Sequence, residues 1–393
     1  MIKRLLKVTF TEWKLFFTDP AAVLLLVIAG IIYAFYYPTP YLKQIVTEAP
    51  VGIVDLDKTA MSRQLIQMSR AAQQIDVKYV FDDIHQAKLS MADGNIYGYM
   101  IIPNNMERDI RTGQKVSVNV FTHGAYVMLH GNIGTAFATS ALTLGAETKV
   151  KRIALAKQVP ANKAMAMRDP FPIEAQTLYN RIGGYSNYVV PSVLVLILQQ
   201  SLIIGICTLG GARAHRKFRK KKQESAAENE SLPYRYFGRS LAYFLHYACF
   251  IAFYHFVVYN VFDFPRRGEP LPMIVFAVVF LSASINLGMV LSQVFLRRET
   301  GMQIFLFLSI PILFLSNFSW PRYLIPDWMA ALSAILPSSY AVPAWLSIQQ
   351  MGAGIQDASV FLVKMGVQSV IYLGLGLLLS FLRDKSKLKT GDM

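Results

Sequence analysis

Apolar residues are unevenly distributed along the chain. One membrane-length run, residues 21–37, precedes a long polar region over 39–188, and five more runs follow at 188–211, 241–262, 273–296, 302–318 and 360–382. A helix crosses the hydrocarbon core with about 20 apolar residues, and about 17 to 25 are tolerated. The pattern predicts a one-plus-five membrane protein with a folded domain inserted after the first span.

Ahead of the first run, Ile2, Leu5, Leu6, Trp13, Phe16 and Phe17 recur at helical spacing while Lys3, Lys7 and Lys14 share another face. That spacing predicts an amphipathic helix lying on the membrane surface. Asp19 is placed to cap the next helix, and Pro20 suits its first turn. The run over 21–37 exceeds the usual h-region of about 7 to 15 residues and has no small-x-small cleavage pattern, so it reads as an uncleaved anchor.

Inside the polar region the periodicity alternates. Short β-rich runs at 51–54, 77–81, 97–102 and 116–121 are separated by helical patterns at 61–72, 84–92 and 104–111, which predicts a small α/β domain. Residues 125–157 are Ala-rich and free of proline, consistent with a long helix or a broken pair that ends at Pro160.

Polar groups within the apolar runs are the strongest local signal, because in lipid they face protein or water. Ser282, Asn286 and Gln293 fall within a narrow angular range, and Ser284, Gly288 and Ser292 form a small-residue row suited to close packing. Gly376 and Ser380 offer a second such contact. Gln199 and Gln200 lie near the middle of the 188–211 run, and His246 and His255 fall on opposite faces of one helix. Gln199, Gln200, Asn286 and Gln293 are the candidates for a translocation path, with interhelical hydrogen bonding as the alternative. Pro311 is expected to interrupt the 302–318 run. After it, residues 317–328 are dense in proline and interfacial aromatics, including Trp320, Pro321, Pro326 and Trp328. A short apolar stretch to 336 follows, then Pro337 and Pro343, which are expected to break the chain further. This reads as a re-entrant or interfacial element.

Composition narrows the class. Hydrophobic residues make up 54% and charged residues 16%, against roughly 25% charged in an average soluble domain, and the mean hydropathy is +0.36; a soluble protein is excluded. The net charge of +15 raises nucleic acid as a partner. The cations, however, lie beside the apolar runs: Lys3, Arg4, Lys7 and Lys14; Arg213, Arg216, Lys217, Arg219 and Lys220 to Lys222; Arg297 and Arg298; Arg383, Lys385, Lys387 and Lys389. The positive-inside rule then places both termini and the 212–239 loop in the cytoplasm and the insert outside, with Arg266 and Arg267 as a minority exception. Topology and anionic lipid account for the charge, so no nucleic-acid partner is implied.

Cys207 and Cys249 fall inside predicted spans, which implies no disulfide framework. There is no GxxxxGK[ST], HExxH, GxSxG or paired CxxC, and His85, His123 and His130 are scattered through a polar domain. Asp55 and Asp57 end a strand before Thr59 and Ser62, where turn and capping duty is expected.

The order of elements resembles the permease subunits of type 2 (ABC-2) ATP-binding-cassette exporters. The likeness rests on Val51-Gly52-Ile53-Val54-Asp55-Leu56-Asp57, Gly98-Tyr99-Met100-Ile101-Ile102-Pro103 with Glu107-Arg108-Asp109, and Asn187-Tyr188-Val189-Val190-Pro191 into Leu198-Gln199-Gln200. It continues through Arg297-Arg298-Glu299-Thr300-Gly301-Met302-Gln303, Phe318-Ser319-Trp320-Pro321 and Gln350-Met351-Gly352-Ala353. It implies an α-helical polytopic fold of six transmembrane helices with an inserted extracytoplasmic α/β domain. The parts are a cytoplasmic amphipathic helix (1–19), a first span (20–38), the insert (39–187) and a five-helix domain (188–393) with an outer re-entrant region at 320–345.

The resemblance further implies a chain that is not itself an enzyme and binds no cofactor, with ATP and Mg held by a separate cytoplasmic ATPase subunit. A second permease copy or close paralogue, membrane lipids and a periplasmic adaptor are the other expected partners, in a bacterial inner membrane. ATPase coupling is expected at Arg213, Arg216, Lys217, Arg297, Arg298 and Glu299, and the outer gate at Trp320, Pro321, Pro326 and Trp328. Residues 223–231 depart from the family pattern as a polar acidic insertion, and the basic run before them serves equally as a topological anchor. A non-transporting receptor or scaffold carrying the insert as a binding module is the alternative; it leaves the polar rows unexplained.

Overall fold

The computed structural model describes residues 1–42, 47–171, 176, 178–180, 184–218, 230–295, 297–317, 319–320 and 322–391, with backbone alone at 215–218 and 386–391. Pro321, Lys220 to Lys222 and most of the 223–231 stretch lie outside the described residues. The chain forms two compact units, Met1–Leu42 with Leu178–Met393, and Lys43–Thr177.

Helix α1 (Ile2–Thr18) leads into α2 (Pro20–Tyr41), an apolar helix widened to a π turn at Val23–Ile28. The break between them is chemical. Asp19 Oδ1 accepts the amides of Ala21 and Ala22 at 3.1 and 3.2 Å, and Pro20 occupies the first turn.

The Lys43–Thr177 unit is an α/β domain built from β1 (Ala49–Asp55), α3 (Ala60–Arg70), β2 (Ile75–Phe81), α4 (Ile84–Ala92), β3 (Gly98–Ile102), α5 (Met106–Thr112), β4 (Asn119–Thr122), α6 (Val127–Lys157) and α7 (Ala161–Arg168). The sheet order is β2-β1-β3-β4, with β1 parallel to β2 and β3 and β4 antiparallel to β3. Alternation along the strands gives it two faces: Val51, Ile53, Met100 and Ile102 pack with Ile133, Phe137 and Leu144 of α6, while Val54 and Tyr99 pack with Ala87 and Ile96. The fourth strand begins at Asn119 rather than at 116. The 125–157 segment forms a single helix from Val127, ended by Gln158 in the left-handed region at φ 50° ahead of Pro160.

The other unit continues with α8 (Ser186–Phe218), α9 (Leu232–Val261), α10 (Pro270–Val294), α11 (Arg298–Phe307), α12 (Ser309–Leu315), α13 (Asp327–Ser333), α14 (Ser338–Met351) and α15 (Ile355–Gly391). Among the described residues five helices have the length and apolarity to cross a membrane; α11–α12, bent by 51°, and α13–α14, bent by 81°, pass only as pairs. In α8, 89% of the apolar window is buried, against 22% in α2 and in α15, so α8 is the hub and the other two present apolar surface outward. The small-residue row of α10 packs on α8: a Cβ at Gly288 would lie 2.8 Å from Ile206, and one at Gly210 would lie 2.8 Å from Ser292.

The 302–318 run is interrupted as expected from Pro311: the break falls at Leu308, because the proline ring displaces the carbonyl four residues earlier, that of Phe307, while Pro311 itself fits the first turn of α12. Two expectations are corrected here. Pro343 does not break the chain; it lies inside an intact α14, which Pro337 precedes at the N-cap. Helix α9 starts nine positions before the apolar run at 241, because its first turns pack on α1 through mixed polar and apolar contacts.

Candidate functional site

Polar chemistry gathers at two places in the helical unit. At the first, the apolar arc of α1 is divided. Val8, Thr9, Glu12 and Phe16 are buried, whereas Ile2, Leu6, Trp13 and Phe17 of the neighbouring stripe are exposed. Of the apolar residues at helical spacing, Phe16 packs inward on Tyr243 of α9, ring centroids 4.8 Å apart. Thr9 Oγ1 donates to Gly238 O at 3.0 Å and holds the two helices together.

Glu12 is the centre of this contact. Its carboxylate accepts from Arg213 Nη1 at 2.7 and 2.9 Å and from the Tyr243 hydroxyl at 2.8 Å, and Arg239 Nε lies 3.6 Å away. Burial pushes the Glu12 carboxyl up, but the Arg213 and Arg239 charges and the bonds from Arg213 and Tyr243 outweigh it and hold the group below its ordinary value. Further ties lie at the same end of the bundle. Arg298 pairs with Asp19, Arg235 pairs with Asp384, and Arg383 donates to Gln293 Oε1 at 3.0 Å. At Gly211 the backbone of Arg297 and Arg298 comes so close that a Cβ would lie 2.6 Å from Arg298 N.

The second place surrounds α14, which is almost wholly buried despite carrying Ser338, Ser339, Gln349 and Gln350. Gln199 Nε2 donates to Ser338 Oγ at 3.1 Å, and Asn317 Nδ2 donates to Ser339 O at 2.8 Å. Trp345 Nε1 donates to the Tyr259 hydroxyl at 2.7 Å, Gln349 Nε2 to His255 Nδ1 at 3.0 Å, and Gln350 to Asn187 O. From α15, Gln368 reaches Ala334 O at 2.6 Å and Tyr372 reaches Ile335 O. A buried helix bearing glutamines is sustained in an apolar bundle only by such partners.

The residues expected from the sequence divide between these places. Arg213 and Arg298 turn inward onto Glu12 and Asp19; Arg297 is the exposed N-cap of α11, and Glu299 is exposed in its first turn. Arg216 and Lys217 lie in the last turn of α8, where only the backbone is described. Asn286 bonds to Tyr236 and Ser369, Gln293 faces Arg383, Gln199 serves α14, and Gln200 is half-buried. Three of the four path candidates, Gln199, Asn286 and Gln293, thus make separate interhelical contacts. Trp320 and Trp328 are 53% and 66% exposed, and Pro326 is the N-cap of α13, so the buried leg is α14 rather than the tryptophan segment. Pro321 is outside the described residues. Glu12, Arg239, Tyr243 and the α14 glutamines had no assigned role; the signal available was a lone carboxylate in a basic amphipathic helix.

In the α/β domain, Asp55 and Asp57 do turn and capping work. Asp55 Oδ1 accepts the amides of Asp57 and Lys58 at 3.1 and 3.0 Å, and its Oδ2 accepts from Ser62 Oγ at 2.8 Å. Asp57 Oδ2 accepts the amide of Glu107 at 3.1 Å. Among the described residues no three His, Cys, Asp or Glu side chains are grouped to hold a metal.

A hub helix, two bent helix pairs and ion pairs joining the helix ends define a polytopic membrane protein. The family model described as ABC-2 family transporter protein matches residues 21–382, and the chain belongs to that family. It is therefore a membrane permease subunit of an ATP-binding-cassette transporter, a family whose members imply an ATPase partner. No curated relative matches the chain.

Proposed function

We propose that this permease exports an amphiphilic, lipid-like or drug-like molecule from the cytoplasm or inner leaflet, driven by a separate cytoplasmic ATPase. The observation that carries the reading is the convergence of α1, the starts of α2 and α11 and the end of α8 on one set of ion pairs. A push on the exposed Arg297–Glu299 turn or on α1 is transmitted through Glu12–Arg213 and Asp19–Arg298 to the hub helix. Helix α8 also holds α14 through Gln199, so its displacement reaches the proposed outer gate, which we place at α13–α14.

In this reading the basic end faces the cytoplasm of a bacterial inner-membrane protein with both termini inside. The α/β domain lies outside, where it shapes the exit or docks an adaptor, and two permease copies form the pore. Purified chain reconstituted alone should hydrolyse no ATP. With the ATPase captured on the tagged chain, hydrolysis should rise with amphiphilic substrates and dye should leave the vesicle interior. Robust hydrolysis by the chain alone would refute the division of labour.

A further inference from the structure

Lys364 is the one charged residue in the apolar run 360–382, nine positions into α15 and so about 13 Å along it. A charge set among apolar residues at such a place is costly and marks a site where it meets a partner. It stands toward the end of α15 remote from Arg383. One and two turns further along the same face, Gln368 and Tyr372 bond to Ala334 O and Ile335 O, so this face lies against the turn between α13 and α14.

Two cations meet there over one ring. Lys364 Nζ lies 5.3 Å and Arg322 Cζ 5.8 Å from the centre of the buried Tyr340 ring. Both cations are exposed, and among the described residues neither makes an ion pair. An aromatic face holds a cation more weakly than a counter-charge does, and here one ring serves two. Arg322 also lines an open cavity of about 700 Å³, whose wall is apolar at Ile325, Ala330, Ala331 and Ala334 and carries one carboxylate, Asp327. That volume falls within the roughly 300–1,000 Å³ of small-molecule sites. Cations beside an apolar wall match a molecule with an acidic head and an apolar body, and a guanidinium fork suits a phosphate or carboxylate.

We infer that Arg322 and Lys364 receive the acidic headgroup of an anionic amphiphile at the α13–α14 corner, its apolar part lying along the alanines, and that the exported molecule belongs to this class. The second half rests on the export reading above; the first does not. Asp327 works against the acidic group and limits how tightly it is held.

The test uses the full chain. Native mass spectrometry counts the lipid retained from nanodiscs of phosphatidylcholine alone or mixed with phosphatidylglycerol. The wild-type chain should retain phosphatidylglycerol in preference, and Arg322→Gln or Lys364→Gln should each weaken that retention about tenfold through loss of one charge-assisted contact. Lys364→Arg should preserve it. Asp327→Asn removes the wall carboxylate and should strengthen it, which keeps the site testable if Arg322→Gln fails to fold. No preference for phosphatidylglycerol, or equal retention by the wild type and every variant, overturns the site. In the complex with its ATPase, dodecyl phosphate should stimulate hydrolysis by the wild type and not by Lys364→Gln, with dodecyl maltoside as the neutral control. Stimulation by other amphiphiles but not by dodecyl phosphate overturns the cargo class and leaves export standing. If no amphiphile stimulates, the export reading fails and takes the cargo class with it, while lipid retention still decides the site.

Discussion

Glu12 and Arg213 are 201 positions apart in sequence, yet each oxygen of the carboxylate accepts, at 2.7 and 2.9 Å, from one guanidinium nitrogen of that arginine. The pair joins α1 to the hub helix, and Tyr243 and Arg239 extend it to α9. Breaking a buried ion pair by removing one partner costs about 3–5 kcal/mol, because a desolvated charge loses its counter-charge. Glu12→Ala should therefore lower the melting temperature of the detergent-solubilised chain by several degrees, whereas Lys3→Ala, on the solvated face of α1, should leave it in place. An unaltered transition in Glu12→Ala would mean that the clasp holds nothing.

The same carboxyl sets a pH dependence. Burial raises its pKa, but the charges of Arg213 and Arg239 and the bonds it accepts prevail, so the folded value lies below the ordinary 4.5. A group depressed on folding contributes stability that is fully present above its unfolded pKa and lost as pH falls through the folded one. The wild-type melting temperature should hold steady through neutral and mildly acid pH and fall below about 4.5. In Glu12→Gln that acid limb should be shallower, and identical profiles would exclude Glu12 as its source.

Five of the six apolar runs, the Asp19-Pro20 restart and the strands of the α/β domain were legible because each rests on a local period or a cap. Helix α14 was not. Pro337 and Pro343 read as breaks in the sequence, and only the partners supplied by Asn317, His255, Asn187 and Gln199 make the burial of its polar residues tolerable. Glu12 was hidden for a similar reason. An acid among lysines reads as a solvated charge until Arg213 and Arg239 arrive from distant segments. Asn286 and Gln293 share a spacing within α10, but their contacts with Ser369 and Arg383 depend on where α15 packs, which no spacing within α10 encodes.

Trp345 and Tyr259 supply a prediction at the other place. The indole N–H donates to the phenolic oxygen at 2.7 Å in a buried aromatic cluster. Tyr259→Phe keeps the ring and removes the acceptor, and hydrogen bonds of this kind inside membranes contribute about 0.6–2 kcal/mol. Amide exchange in α14 should accelerate while the circular dichroism of the chain stays constant. Unchanged protection across 338–351 would show that the bond does not anchor the helix.

Gly211 tests whether the basic end transmits motion. A Cβ there would lie 2.6 Å from Arg298 N and 2.7 Å from Arg297 O, both main-chain atoms that cannot rotate aside. Either the end of α8 or the Arg297–Arg298 turn must shift, an overpacking cost of about 1–3 kcal/mol. Gly145 provides the contrast, since it lies within α6 with no atom inside 4 Å of an added Cβ; Gly145→Ala should be neutral or stabilising by about 0.5–1 kcal/mol through helix propensity. In the complex with its ATPase, Gly211→Ala should retain basal hydrolysis and lose the rise produced by substrate, while Gly145→Ala keeps both. If Gly211→Ala retains full stimulation, the contact between α8 and the Arg297–Arg298 turn does not carry the coupling, and the path must run through α1 and Glu12 alone.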